Sequence, residues 1–193
     1  MYNTVFLLGE DGMVRSSYDK TYLLMFGEYL PFGEMFPILY ELSPNSSRFT
    51  AGTHVRPLRF GDWRISTPVC YEDVLARFTR TMVREGRPHV LMNLTNDAWF
   101  GDSQEPYIHL VLSKFRAIEH RRYLVRSTNS GISAVVDPVG RVVAQSGLLT
   151  RENLRSEIQM LEDETIYTRF GDWPGWIGVA AILWMVIRRR NRA

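Results

Sequence analysis

The chain has 193 residues, 45% of them apolar and 23% charged, which is enough for one domain with a substantial core and excludes wholesale disorder. A net charge of +2 is too small to argue for nucleic acid as a partner. The single cysteine excludes an internal disulfide and leaves the redox compartment undecided.

Taken in order, Thr4 to Leu8 and Met13 to Tyr18 flank Asp11-Gly12 and read as a β-hairpin, with no signal peptide ahead of it. The second strand delivers Lys20 into Leu23 to Phe32, a run of apolar and aromatic residues that also holds Glu28. An isolated lysine is ordinarily a solvated surface charge. A lysine desolvated beside a cysteine would instead favour thiolate and could stabilise an oxyanion. Residues 40–56 are rich in Ser, Pro, Asn and Gly and read as a loop.

Trp63 to Val69 alternates like a strand, and Val74, Leu75, Phe78, Met82 and Val83 recur at helical spacing until Gly86. Cys70, the only cysteine, therefore falls where a strand turns into a helix. Unpaired N–H groups at a helix start favour a thiolate, and Glu72 and Asp73 would use the same dipole. The plainer alternative is a small buried hydrophobe. His89 to Leu94 reads as a buried strand running into Asn96-Asp97-Ala98-Trp99-Phe100-Gly101, small polar residues and aromatics of the kind that line a pocket at a strand end.

Ile108, Val111, Leu112, Phe115 and Ile118 predict a helix, and Lys114, Arg116, Arg121, Arg122 and Arg126 predict a basic solvated face near it, or one that meets lipid headgroups beside a membrane. Tyr123 to Arg126, Ile132 to Val136 and Arg141 to Ala144 read as strands, which makes the class α/β with a mixed sheet. His54, His89, His109 and His120 show no metal spacing, and none stands in a context that suggests a Cys–His pair. From Trp173 to Ile187 no residue is charged, and Arg188, Arg189, Arg190 and Arg192 follow. At about 1.5 Å per residue this stretch gives roughly 22 Å of helix against a hydrocarbon core of roughly 30 Å, so spanning a membrane would lean on the flanking tryptophans and arginines. The expectation is a transmembrane helix over 173–190 with a cytoplasmic basic end, after a catalytic domain over 1–170.

The residues taken together resemble the nitrilase (carbon–nitrogen hydrolase) superfamily and, within it, the apolipoprotein N-acyltransferase family. The likeness is carried by Tyr18-Asp19-Lys20, Phe26-Gly27-Glu28-Tyr29-Leu30-Pro31, Cys70-Tyr71-Glu72, Asn96 to Gly101, Arg116-Ala117-Ile118-Glu119, Arg126 to Ser133 and Gly171-Asp172-Trp173-Pro174. It implies an α-β-β-α nitrilase sandwich, incomplete at the N-terminus, on the periplasmic face of a bacterial inner membrane. It implies acyl transfer from a phospholipid donor to a diacylglyceryl apolipoprotein acceptor, with no cofactor and no metal. By residue, it makes Cys70 the nucleophile, Lys20 the oxyanion stabiliser and Glu28 a supporting glutamate, with Tyr71, Glu72 and Trp99 alongside. The family's general-base glutamate and membrane helices lie upstream, and Glu10 does not match that base. The chain is therefore expected to be a C-terminal portion, inactive alone. A tethered nitrilase-type amidase and an inactive lipid- or partner-binding fragment are the alternatives.

Overall fold

A computed structural model describes residues 1–190, so Arg192 lies outside the described residues. Strands β1 (Thr4–Leu8) and β2 (Val14–Asp19) pair antiparallel as a separate two-stranded sheet, as the Asp-Gly turn predicts. A short helix α1 (Ile38–Leu42) interrupts the loop that follows. Strands β3 (Leu58–Phe60), β4 (Trp63–Ser66), β5 (Val90–Thr95), β6 (Tyr123–Thr128), β7 (Ala134–Val136) and β8 (Val142–Gln145) form a second sheet in that order. The β4–β5 and β5–β6 pairs are parallel and the others antiparallel, so the sheet is mixed. The two parallel pairs are connected through helices α2 (Ala76–Gly86) and α3 (Glu105–His120), the crossover that parallel pairing requires.

Helices α2, α3 and the short α4 (Ile166–Phe170) touch one another and form one layer. Val83, Leu91, Leu110, Ala117, Leu124 and Val136 make the core between that layer and the large sheet. A second core of Tyr18, Leu58, Val69 and Met82 ties the small sheet to the edge of the large one. The described residues form one helical layer, one six-stranded sheet and a separate two-stranded sheet.

Two expectations differ from the structure, the end of β4 and the basic face. β4 ends at Ser66 rather than Val69, because Pro68 has no N–H to donate; Val69 keeps only an isolated bridge to Leu94. Helix α2 ends at Gly86 as the spacing predicts, with Arg87 at a φ of 44° as its left-handed cap, and Gly86 packs against Pro57 where a Cβ would come within 2.9 Å of the ring. The basic stretch does not form a solvated face. Arg116, Arg122 and Arg126 are buried, and the outward side of α3 carries Ile108, Val111, Leu112 and Phe115.

The C-terminal expectation also changes. Helix α5 (Trp173–Arg190) forms, and its tryptophans and aliphatic residues are exposed, but among the described residues no helix is long and apolar enough to cross a membrane. Its charge-free part stops at Ile187, and arginines fill the last turn. The transmembrane assignment is withdrawn, and the cytoplasmic placement of the C-terminus goes with it.

Candidate active site

Cys70 occupies a corner more sharply bent than a strand-to-helix junction. It opens a 3-10 turn, Cys70–Val74, with a φ of 51°, in the left-handed region that a residue with a Cβ enters at a cost on the order of 1 kcal/mol. The corner is held from three sides. Val69 N donates to Glu72 Oε2 at 2.7 Å, and Asn93 Nδ2 donates to the carbonyls of Cys70 at 3.0 Å and Pro68 at 3.1 Å. Because α2 begins only at Ala76, Cys70, Glu72 and Asp73 do not sit at an α-helix N-terminus. Both carboxylates instead turn inward and are fully buried.

Glu72 joins this corner to the strand that carries Lys20. Its carboxylate accepts from Tyr18 OH at 3.0 Å, Thr21 N at 2.8 Å and Tyr22 N at 2.7 Å, besides Val69 N. Burial pushes the Glu72 carboxyl above the ordinary carboxylate range, and its backbone donors pull against that. Burial, with the Glu72 charge beside it, raises the Tyr18 phenol so that it remains a donor.

Lys20, immediately before Thr21, is 1% exposed, and its Nζ lies 2.6 Å from Glu28 Oε2. Glu28 also accepts from Leu24 N and Asn3 Nδ2, and it stands in a tight turn whose preceding Phe26 has a φ of 67°. The Lys20 backbone is pinned on both sides, donating to Asn3 O and accepting from Gly52 N, each at 2.8 Å. A Cβ on Gly52 would overlap the Asp19 carbonyl. Gly52→Ala is therefore expected to push the Lys20 segment off its seat and cost about 1–3 kcal/mol, read by urea unfolding; an unchanged midpoint would show that the loop simply moves aside.

A cavity of about 830 Å³ opens beside these residues, walled by Tyr22, Leu24, Leu30, Phe32, Phe49 and Tyr71. Three wall residues are chain neighbours of the predicted site: Thr21 follows Lys20, Tyr29 follows Glu28 and Tyr71 follows Cys70. Glu72 thus links the segment after the Lys20–Glu28 pair to the turn that Cys70 opens, and Tyr71 lines the cavity. Trp99, by contrast, is 80% exposed on a 3-10 turn, Ala98–Phe100, and does not line the cavity.

Beneath the corner lies a group the sequence reading missed. Arg126 donates through Nη1 to Asp73 at 3.0 Å and through Nη2 to Asp97 at 2.8 Å, with all three side chains fully buried. His109 places Nε2 2.9 Å from Asp73 and Nδ1 3.3 Å from Asp97. Although burial alone would lower it, these two carboxylates raise the His109 pKa from 6.5 to about 9. Helical spacing alone did not single it out: Pro106, His109, Leu110, Ser113 and Ala117 form the buried stripe of α3, away from the apolar residues that carry the periodicity. Asp97, Glu105 and His109 do bring three donor atoms within 4.8 Å. Both His109 nitrogens already face carboxylates and Arg126 neutralises Asp97, so ion pairs account for the cluster.

The sequence profile of the carbon–nitrogen hydrolase family matches residues 1–165. The chain belongs to the carbon–nitrogen hydrolase family. Among curated relatives of this carbon–nitrogen hydrolase, an apolipoprotein N-acyltransferase of Bradyrhizobium diazoefficiens is 40% identical over 98% of the chain, which covers 35% of that protein. The apolipoprotein N-acyltransferase of Geobacter metallireducens is 36% identical over 98% of the chain, covering 37% of that protein. The chain thus spans little more than a third of the length of the curated relatives it matches. Of solved structures, Nit3 of Saccharomyces cerevisiae, a member of branch 10 of the nitrilase superfamily, is similar at 18% identity and a TM-score of 0.57, over 78% of this chain and 51% of that one. An amidase from Nesterenkonia sp. AN1, trapped with the acetamide moiety of fluoroacetamide on its active-site cysteine, is similar at 24% identity and a TM-score of 0.53, over 75% of this chain and 51% of that one. These two likenesses show the nitrilase fold.

Proposed function

We propose that this carbon–nitrogen hydrolase chain is the cysteine-bearing portion of an apolipoprotein N-acyltransferase. The observation that carries the reading is the Glu72 carboxylate, which hydrogen-bonds both the segment after a buried, Glu28-paired Lys20 and the turn that opens on Cys70. The names of the relatives supply the substrate class. The Cys70 thiolate attacks the ester carbonyl of a phospholipid, and the C–O bond to the glycerol breaks as the thioester forms. Lysophospholipid leaves, taking a proton from the site's general acid. The α-amino group of a lipoprotein's diacylglyceryl-cysteine then attacks the thioester, loses a proton to the site's base, and regenerates the thiolate.

In this reading Lys20 stabilises the tetrahedral oxyanion, Glu28 fixes the ammonium, and the apolar cavity beside Tyr71 takes the acyl chain. The chemistry calls for no cofactor, metal or nucleic acid. A lipid donor places the catalytic body, 1–170, at a membrane surface, on the periplasmic side by the resemblance. The base is the family's upstream glutamate, so the chain alone is not expected to turn over.

The test uses the chain joined to the upstream half of a relative, together with phospholipid labelled in its acyl chain. A hydroxylamine-labile label on Cys70 is expected, absent in Cys70→Ala and slowed about 10²- to 10³-fold in Lys20→Ala. Near-normal labelling of Lys20→Ala would remove Lys20 from the mechanism. Hydrolysis of small amides without use of lipid would favour the amidase alternative.

A further inference from the structure

His109 is 5% exposed, which is unusual for a side chain that carries charge, and it makes no approach to the cavity described above. Asp73 reaches it from the 3-10 turn opened by Cys70, Asp97 from the loop after β5, Glu105 from its own helix, and Arg126 stands behind both aspartates on β6. We propose that His109 is a positioning residue for the nucleophile: clamped between Asp73 and Asp97, its ring ties the Cys70 turn to the loop that carries Trp99 and keeps Cys70 in its left-handed conformation. The inference rests on Cys70 being the reactive group of the site and on nothing about the acyl donor.

The geometry has a consequence in pH. With the ring protonated, both nitrogens donate and both aspartates are held. Once the proton leaves, one nitrogen becomes an acceptor facing a carboxylate, and that arm of the clamp opens. The raised pKa fixes the window: the clamp is complete below about 6.5 and is lost as the pH climbs through about 9.

Because the chain has one cysteine, iodoacetamide reads this site alone. The quantity to follow is the alkylation rate of the folded 193-residue chain divided by its rate in urea at the same pH, from pH 6 to 10. The ratio is expected to move towards one across pH 7.5–10, by at least about threefold and by no more than about tenfold for each pH unit, the limit that linkage to one proton sets. His109→Gln should sit at the high-pH value throughout, with no step. Asp97→Asn, which keeps the shape and removes one charge holding the proton, should move the step to lower pH. A flat wild-type ratio overturns the proposal, and this needs no variant to fold. A step that persists in His109→Gln, or that stays in place in Asp97→Asn, overturns it equally. Loss of stability in His109→Gln with the Cys70 ratio and its step unmoved would reduce His109 to an ordinary packing residue. None of these readouts involves lipid, so the result stands apart from the acyl-transfer test.

Discussion

Glu72→Gln is expected to lower the unfolding free energy by about 3 kcal/mol or more, and to slow covalent acylation of Cys70 to the level of a misplaced nucleophile. The magnitude follows from counting donors. Glu72 accepts from one phenol and three backbone amides while fully buried. Glutamine keeps one acceptor oxygen and turns an NH₂ group towards donors that already point inward, and each stranded buried donor costs about 1–3 kcal/mol. Two of those amides belong to Thr21 and Tyr22 and one to Val69, so both sides of the site loosen together. Urea unfolding monitored by circular dichroism checks the first half. A midpoint shift worth under about 1 kcal/mol would show that water or a relaxed turn takes over from the carboxylate.

Arg126→Met is the other large effect. The methionine fills much of the arginine's volume, but Asp73 and Asp97 then face each other across His109 with one positive charge fewer. Removing one member of a buried ion network typically costs about 3–5 kcal/mol, which in a chain of this size lowers the melting temperature by roughly 10 °C. Arg15 is the contrast: it also pairs with an aspartate, at 2.6 Å, but both side chains are at least half exposed. Arg15→Ala is expected to leave the melting temperature within about 2 °C. Acid should act on the buried network from the other direction. Hydrogen bonding by His109 and the Arg126 charge hold the Asp97 carboxyl below its usual range in spite of burial. Its stabilising share is therefore complete above the ordinary aspartate value and is lost as the pH falls through the depressed one. If Arg126→Met melts like Arg15→Ala, the network is not holding the corner.

The hairpin, both parallel crossovers and most of the large sheet were legible because each carries a strong local signal: an Asp-Gly turn, period-two alternation, or a long apolar repeat. Strand β3 has three residues and α4 five, too short for periodicity to register. Lys20 and Glu28 were legible as charged residues set in an apolar run, though not as a pair. What tied them to Cys70 was not, since Glu72 reaches across about fifty residues to Thr21 and Tyr22. Helix α3 shows a deeper limit. Its apolar repeat predicted the helix, but a helix pattern gives spacing and not which stripe faces the sheet. The buried stripe is the one with a histidine, a serine and an arginine, polar residues that burial tolerates only where partners are waiting. His109 has Asp73 and Asp97, and Ser113 has the Leu110 carbonyl.

That exposed apolar side matters to anyone handling the protein. With Ile108, Val111, Leu112 and Phe115 turned to water on α3, and Trp176, Ile177, Leu183 and Trp184 turned to water on α5, the chain carries two greasy stripes that an aqueous buffer will drive together. Its apparent size in gel filtration should depend on concentration and shrink on adding mild detergent. Salt should not disperse the aggregates, because the attraction between them is not one that ions screen.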